Sequence, residues 1–84
     1  MLNEKTTELI AIGASITANC QPCLEFHVAK AREFGATTEE IMAAVEVGKL
    51  VRRGATAKMD RYATPLITGE KVVVPPAGCE CQAS

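Results

Sequence analysis

The sequence predicts an all-α fold: a small bundle of about four helices, completed by association with further copies of the same chain. Three observations carry that expectation. Apolar residues recur at three- and four-residue spacing, as in Leu9, Ile12 and Ile16, which is the period of a helix face. Helix start and stop signals punctuate the chain at Asn3, Pro22, Gly35 and the Thr37…Glu40 pair. Finally, 48% of the 84 residues are apolar but only 4% are aromatic. A short chain of small apolar side chains buries a modest fraction of its surface, so part of that apolar surface is expected to lie against another subunit.

The first helix is expected over residues 4–18. Asn3 precedes it, and acids stand near its start, where the dipole favours them. Asn19 marks its end. Its length and its alanines argue against a buried strand. A second helix begins at Cys20–Pro22, where a proline costs no hydrogen bond. Lys30 and Arg32 suit its last turn, and Gly35 is its left-handed stop. Thr37 and Glu40 have the spacing of a capping box and open a third helix. That helix carries Ile41, Met42, Ala44, Val45, Val47, Leu50 and Val51, apolar over more than one stripe and so buried on two sides. Gly48 marks a close helix crossing. Gly54 is expected to break or kink the segment, with a fourth helix over 55–66 ending near Pro65. The helical domain is thus 1–68, and 69–84 is an extended tail: Pro75-Pro76 forbids a helix there, and Cys79-Glu80-Cys81 follows.

Charge excludes some partners. A net charge of −1 offers no general attraction to nucleic acid or to an anionic membrane. No stretch approaches the roughly 20 apolar residues that cross a bilayer. Met1–Lys5 lacks the basic start and apolar run of a signal peptide, so the expected compartment is the cytoplasm. There a C-x-x-C pair is more often catalytic or metal-binding than a structural disulfide.

The chemistry concentrates in Cys20-Gln21-Pro22-Cys23-Leu24-Glu25-Phe26-His27, which holds two thiols and the single histidine. On a helix, residues three and four apart share a face, with Cβ atoms about 5–6 Å apart. A small adjustment in the first turn lets Cys20 and Cys23 form a disulfide. The helix N-terminus favours a thiolate, and an imidazole one turn on can take the thiol proton. That is a nucleophile with its base. Two other readings stand beside a redox pair: part of a metal site, for which four ligands are needed, and two buried, unreactive thiols.

Cys20-x-x-Cys23-x-x-x-His27 resembles the motif of AhpD-like proteins in the carboxymuconolactone decarboxylase family. That motif also has a glutamate twelve positions before the first cysteine, here Glu8. Phe34-Gly35-Ala36-Thr37-Thr38-Glu39-Glu40-Ile41 is similar to the family's "G-A-T-x-E-E-I" helix start. The resemblance covers residues 4–63. It implies an all-α subunit that works as a homo-oligomer, a trimer or hexamer. It implies a thiol peroxidase or disulfide reductase needing no cofactor and no metal, whose substrate is a hydroperoxide or a disulfide and whose electrons come from a thioredoxin-like or lipoyl-type dithiol. Carried over, Cys23 is the peroxidatic thiol and Cys20 the resolving one, with His27 and Glu8 as a proton relay. Spacing agrees that His27 serves Cys23, whereas a helix N-terminus usually exposes its first thiol most; both orders of attack stand. Alkylhydroperoxidase-type members carry a second histidine inside the pair, where this chain has Pro22, which carries no proton. The family's decarboxylases lack the cysteine pair, so lactone decarboxylation is not expected.

Two features fall outside the resemblance. Lys49, Arg52, Arg53, Lys58 and Arg61 form a basic cluster, either a solvated or salt-bridged face or a dock for an acidic partner. Cys79 and Cys81 are a plain polar tail, a redox relay to the Cys20–Cys23 disulfide, or, joined with Cys20 and Cys23, the ligands of an alternative metal or iron–sulfur module.

Overall fold

A computed structural model describes residues 1–69 of the chain. Among them there are three helices and no strand: α1, Glu4–Thr17; α2, Gln21–Glu33; and α3, Thr38–Thr68. The chain divides into two compact units, Met1–Lys49 and a second that begins at Leu50.

In the first unit, local chemistry sets each boundary. Asn3 has an extended backbone, and its side-chain oxygen accepts the Thr6 N–H at 2.8 Å, satisfying one of the unpaired amides at the start of α1. At the other end Asn19 adopts φ 56°, a left-handed conformation that Asn tolerates better than most residues. Asn19 N–H then reaches Ile16 O at 3.1 Å and Cys20 N–H reaches Ser15 O at 3.0 Å. These are the two bonds of a Schellman closure, and they turn the chain directly into α2. The same device ends α2: Gly35, at φ 86°, sends its N–H to Arg32 O at 3.0 Å, and Ala36 N–H bonds Ala31 O at 2.9 Å. Thr37 and Glu40 form the expected reciprocal capping box. Glu40 N–H donates to Thr37 Oγ1 at 3.1 Å, and Thr37 N–H donates to Glu40 Oε1 at 2.9 Å.

α1 and α2 make a helical hairpin whose buried apolar residues are Ile12 and Ala31, joined by Ala36 and Ile41. Leu9, Leu24, Val28, Ala44 and Val45 pack around them half-buried. The start of α3 crosses α1 closely at Gly48. A Cβ there would collide with Gly13 O and stand 2.9 Å from Ile16 Cβ, so only glycine permits the approach. The Thr17 hydroxyl lies 3.0 Å from Gly48 O at the same crossing. Lys5 of α1 and Glu40 of α3 add an ion pair at 3.0 Å. Sequence placed a close crossing at Gly48; it gave no signal for the Lys5–Glu40 pair.

Two expectations are corrected. Gly54 does not break the helix, and no separate fourth helix follows; α3 runs through both Gly54 and Pro65 to Thr68. A single interior glycine costs about 1 kcal/mol relative to alanine but imposes no stop, and Ala55, Ala57, Lys58 and Met59 beyond it are strong helix formers. Pro65 forfeits one backbone bond within the final turn, and Gly69, at φ 81°, follows the end. The expected extended tail, with Cys79 and Cys81, lies outside the described residues. No helix among the described residues is long and apolar enough to cross a membrane.

Candidate functional site

The site is assembled by the α1–α2 hairpin. The Schellman turn at Asn19 delivers Cys20 to the N-cap of α2 with an extended backbone, φ −100° and ψ 99°. Its sulfur accepts the Cys23 N–H at 3.3 Å, taking the place that an oxygen occupies in an ordinary cap. Gln21 and Pro22 fill the first two helical positions, and Cys23 follows within the same turn. Cys20 and Cys23 are joined as a disulfide with their Cα atoms 5.3 Å apart, inside the range for such bonds.

The two sulfur-bearing residues are not equivalent. Cys23 is exposed and Cys20 half-buried, the reverse of the expectation that the first thiol of a helix N-terminus is the more accessible. The cause is the capping geometry. Cys20 is the capping residue, its sulfur over the first turn, whereas Cys23 lies within that turn. After reduction, the sulfur of Cys20 would still meet an amide N–H and the positive end of α2, both of which favour negative charge.

His27 lies one turn beyond Cys23, and Glu8 comes from the preceding helix. They meet: His27 Nδ1 and Glu8 Oε1 are 2.6 Å apart. With Glu8 ionised, the hydrogen of this contact belongs to Nδ1, and in the neutral imidazole Nε2 is then the nitrogen that accepts a proton. The Glu8 side chain is 16% exposed and that of His27 30%. The contact is thus sheltered but not sealed. Glu8 is the residue that periodicity alone would leave as an ordinary acid on the first helix; its partner one helix later explains its place.

Sequence reading missed Phe26. Its ring stands edge-on to the His27 imidazole, with centroids 5.1 Å apart and an interplanar angle of 84°. The Lys30 ammonium lies over the same ring, 5.9 Å from its centroid. The available signal was an aromatic residue adjacent to the single histidine in a chain with few aromatics.

Among the described residues, no group of three or more His, Cys, Asp or Glu side chains stands close enough to hold a metal ion. Cys79 and Cys81, the possible relay or additional ligands, lie outside the described residues. In the basic cluster, Lys49 faces Glu46 at 3.5 Å, and Arg52, Arg53 and Arg61 each engage other groups.

Glu8, the Cys20–Cys23 pair and His27 all fall within a segment that similarity to known proteins also covers. The chain is 43% identical over 54 residues to "Uncharacterized protein 4 in cox locus" of Paracoccus denitrificans, a match over 64% of this chain and 49% of that one. The chain therefore spans about half the length of this curated relative. No solved structure matches. The model of the carboxymuconolactone decarboxylase family matches residues 1–62, which takes in the helical hairpin and every one of these four residues, and to that family the chain belongs.

Proposed function

We propose that the chain is a thiol–disulfide oxidoreductase that reduces a hydroperoxide or a disulfide through Cys20 and Cys23. The observation that carries this reading is one juxtaposition. A disulfide-bonded C-x-x-C pair sits at a helix N-terminus, one turn before an imidazole whose Nδ1 is held by a carboxylate.

Exposed Cys23 is the attacking thiol. His27 Nε2 accepts its proton, and Glu8 steadies the resulting imidazolium. With a hydroperoxide, the Cys23 thiolate attacks the distal oxygen. The O–O bond breaks, the sulfur becomes a sulfenic acid, and the alkoxide leaves with a proton to become an alcohol. The Cys20 thiol then displaces the sulfenic oxygen as water, giving the Cys20–Cys23 disulfide. With a disulfide substrate, the Cys23 thiolate forms a mixed disulfide and expels one thiolate; Cys20 then resolves it and releases the second. Either way two electrons leave the pair. A dithiol donor of thioredoxin-like or lipoyl type returns them by exchange.

The same reading takes the working unit to be a homo-oligomer, a trimer or hexamer, and the compartment to be the cytoplasm, where dithiol donors are reduced. The exposed Met42, Val47 and Val51 on α3 support association, since each exposes more than two-fifths of its surface.

The test is stopped-flow oxidation of the reduced protein by hydrogen peroxide, an organic hydroperoxide and a model disulfide. At least one should oxidise the pair at a rate that Cys23→Ser abolishes. No reaction with any of the three, or equal rates in wild type and Cys23→Ser, sinks the proposal.

A further inference from the structure

We infer that Phe26 is a positioning residue: its ring holds the His27 imidazole in the orientation that keeps Nδ1 on Glu8 and Nε2 free. Neighbouring side chains on a helix point about 100° apart and do not ordinarily meet. Phe26 and His27 nevertheless touch in a perpendicular arrangement, with centroids 5.1 Å apart, well inside the range for attractive aromatic pairs. The ring does no work in the core. Phe26 is 56% exposed and stands apart from the Ile12–Ala31–Ala36–Ile41 cluster. Its ring packs instead against the His27 imidazole and under the Lys30 ammonium.

Three groups define the imidazole's setting. Glu8 from α1 binds Nδ1 at 2.6 Å. Phe26 on α2 lies against the ring plane or its edge. Lys30, one turn further on, places its ammonium 5.9 Å from the Phe26 centroid, within reach of a cation–π attraction. The carboxylate alone fixes one nitrogen but leaves the ring free to swing about that bond. A second contact, on the ring itself, removes the swing. With both, the remaining nitrogen keeps one direction relative to the helix that carries Cys23. Phe26 acts through His27, the ring it packs against.

This assignment rests on the reading of His27 as the proton acceptor of Cys23, but its primary readout does not. The histidine is the single one in the chain, so its imidazole nitrogens can be followed by NMR in the full-length protein. Wild type and Phe26→Tyr, which keeps the ring, should give one ring orientation with hydrogen on Nδ1, seen as a single set of nuclear Overhauser contacts from the His27 ring protons. Phe26→Leu, which keeps apolar bulk without the ring, should keep hydrogen on Nδ1 through Glu8 but give contacts averaged over several ring orientations. The oxidation rate of Cys23 by hydrogen peroxide should fall about three- to tenfold in Phe26→Leu, the scale of one aromatic pair, and stay at the wild-type level in Phe26→Tyr. In a His27→Gln background, Phe26→Leu should have no further effect on rate, because the group it positions is gone. An unchanged imidazole signature in Phe26→Leu overturns the inference, as does a rate loss that persists undiminished in the His27→Gln background. Absence of any peroxide or disulfide reactivity in wild type counts against the redox proposal alone, since the ring orientation is read without turnover; with it, the averaged orientation in Phe26→Leu still supports the positioning role.

Discussion

Replacing Glu8 by glutamine separates what the carboxylate contributes as a charge from what it contributes as a shape. Glutamine keeps the length of the side chain and still offers an oxygen to His27 Nδ1–H, so the hairpin should fold unchanged. What it lacks is the negative charge that stabilises an imidazolium once His27 has taken the Cys23 proton. Two unit charges about 4 Å apart attract by about 4 kcal/mol at an effective dielectric of 20. Solvent reaches both partners, with Glu8 16% and His27 30% exposed, and screening leaves about 1 kcal/mol of that. Hydrogen bonds to charged groups are worth about 1.5–3 kcal/mol and the neutral bond that glutamine keeps about 0.5–1.5 kcal/mol, a difference of the same size. At about 1.4 kcal/mol per factor of ten, Glu8→Gln should slow Cys23 oxidation about fivefold. The assay is single-turnover oxidation of reduced protein by hydrogen peroxide, with thermal melting as the control for folding. The same substitution in a His27→Ala background should cost nothing further, since the imidazolium is absent. A wild-type rate in Glu8→Gln with an intact melt would refute the relay, and so would full additivity with His27→Ala.

Other outcomes follow from the same hairpin and its caps. Gly48→Ala should destabilise the protein by about 2–3 kcal/mol in urea unfolding, because the new methyl meets backbone Gly13 O rather than a side chain that can move aside; a midpoint equal to wild type would mean the helices do not cross so closely. Asn19→Ala should be less stable than Asn19→Gly by about 1 kcal/mol, since alanine resists the left-handed φ of 56° and glycine does not; equal stabilities would count against the Schellman turn that presents Cys20. The Glu40 carboxyl is held below its usual range, chiefly by the Thr37 backbone N–H that donates to it, with the Lys5 ammonium adding to the effect. The unfolded chain therefore binds the proton more readily than the folded one. Stability from this group is complete above the unfolded carboxylate value of about 4.3 and is lost as pH falls through the lower folded value. Glu40→Gln should flatten that acid limb of a urea-midpoint-against-pH curve; limbs that fall in parallel in both proteins would contradict the assignment.

Much of the fold was legible because its boundaries are written in single residues. Asn3, Asn19, Gly35 and the Thr37–Glu40 pair each act over three or four positions, and each was found where local chemistry placed it. Gly54 and Pro65 misled because a breaker's effect depends on its flanks. One glycine among strong helix formers, and one proline in a last turn, are tolerated by a helix of 31 residues. The site was legible in part. Spacing alone put Cys20, Cys23 and His27 on one helix, since three- and four-residue intervals are local quantities. Glu8 is 19 positions from His27, and only the angle of the hairpin decides whether they meet. Resemblance, not periodicity, singled it out. The exposure of Cys23 over Cys20 ran against expectation, because it depends on which way the capping residue folds. The Phe26 contact was hidden, since neighbours in a helix ordinarily diverge.

The account turns on whether Cys20 and Cys23 cycle between thiols and a disulfide with Cys23 meeting the oxidant first. Mass spectrometry of reduced, full-length protein treated with one equivalent of peroxide in the presence of a sulfenic-acid trap reads both at once. The predicted result is a Cys20–Cys23 link in wild type, reopened by a dithiol, and a trapped sulfenic acid on Cys23 in the Cys20→Ser variant. Trapping on neither residue, or a link between other cysteines with Cys20 and Cys23 left as thiols, would contradict it.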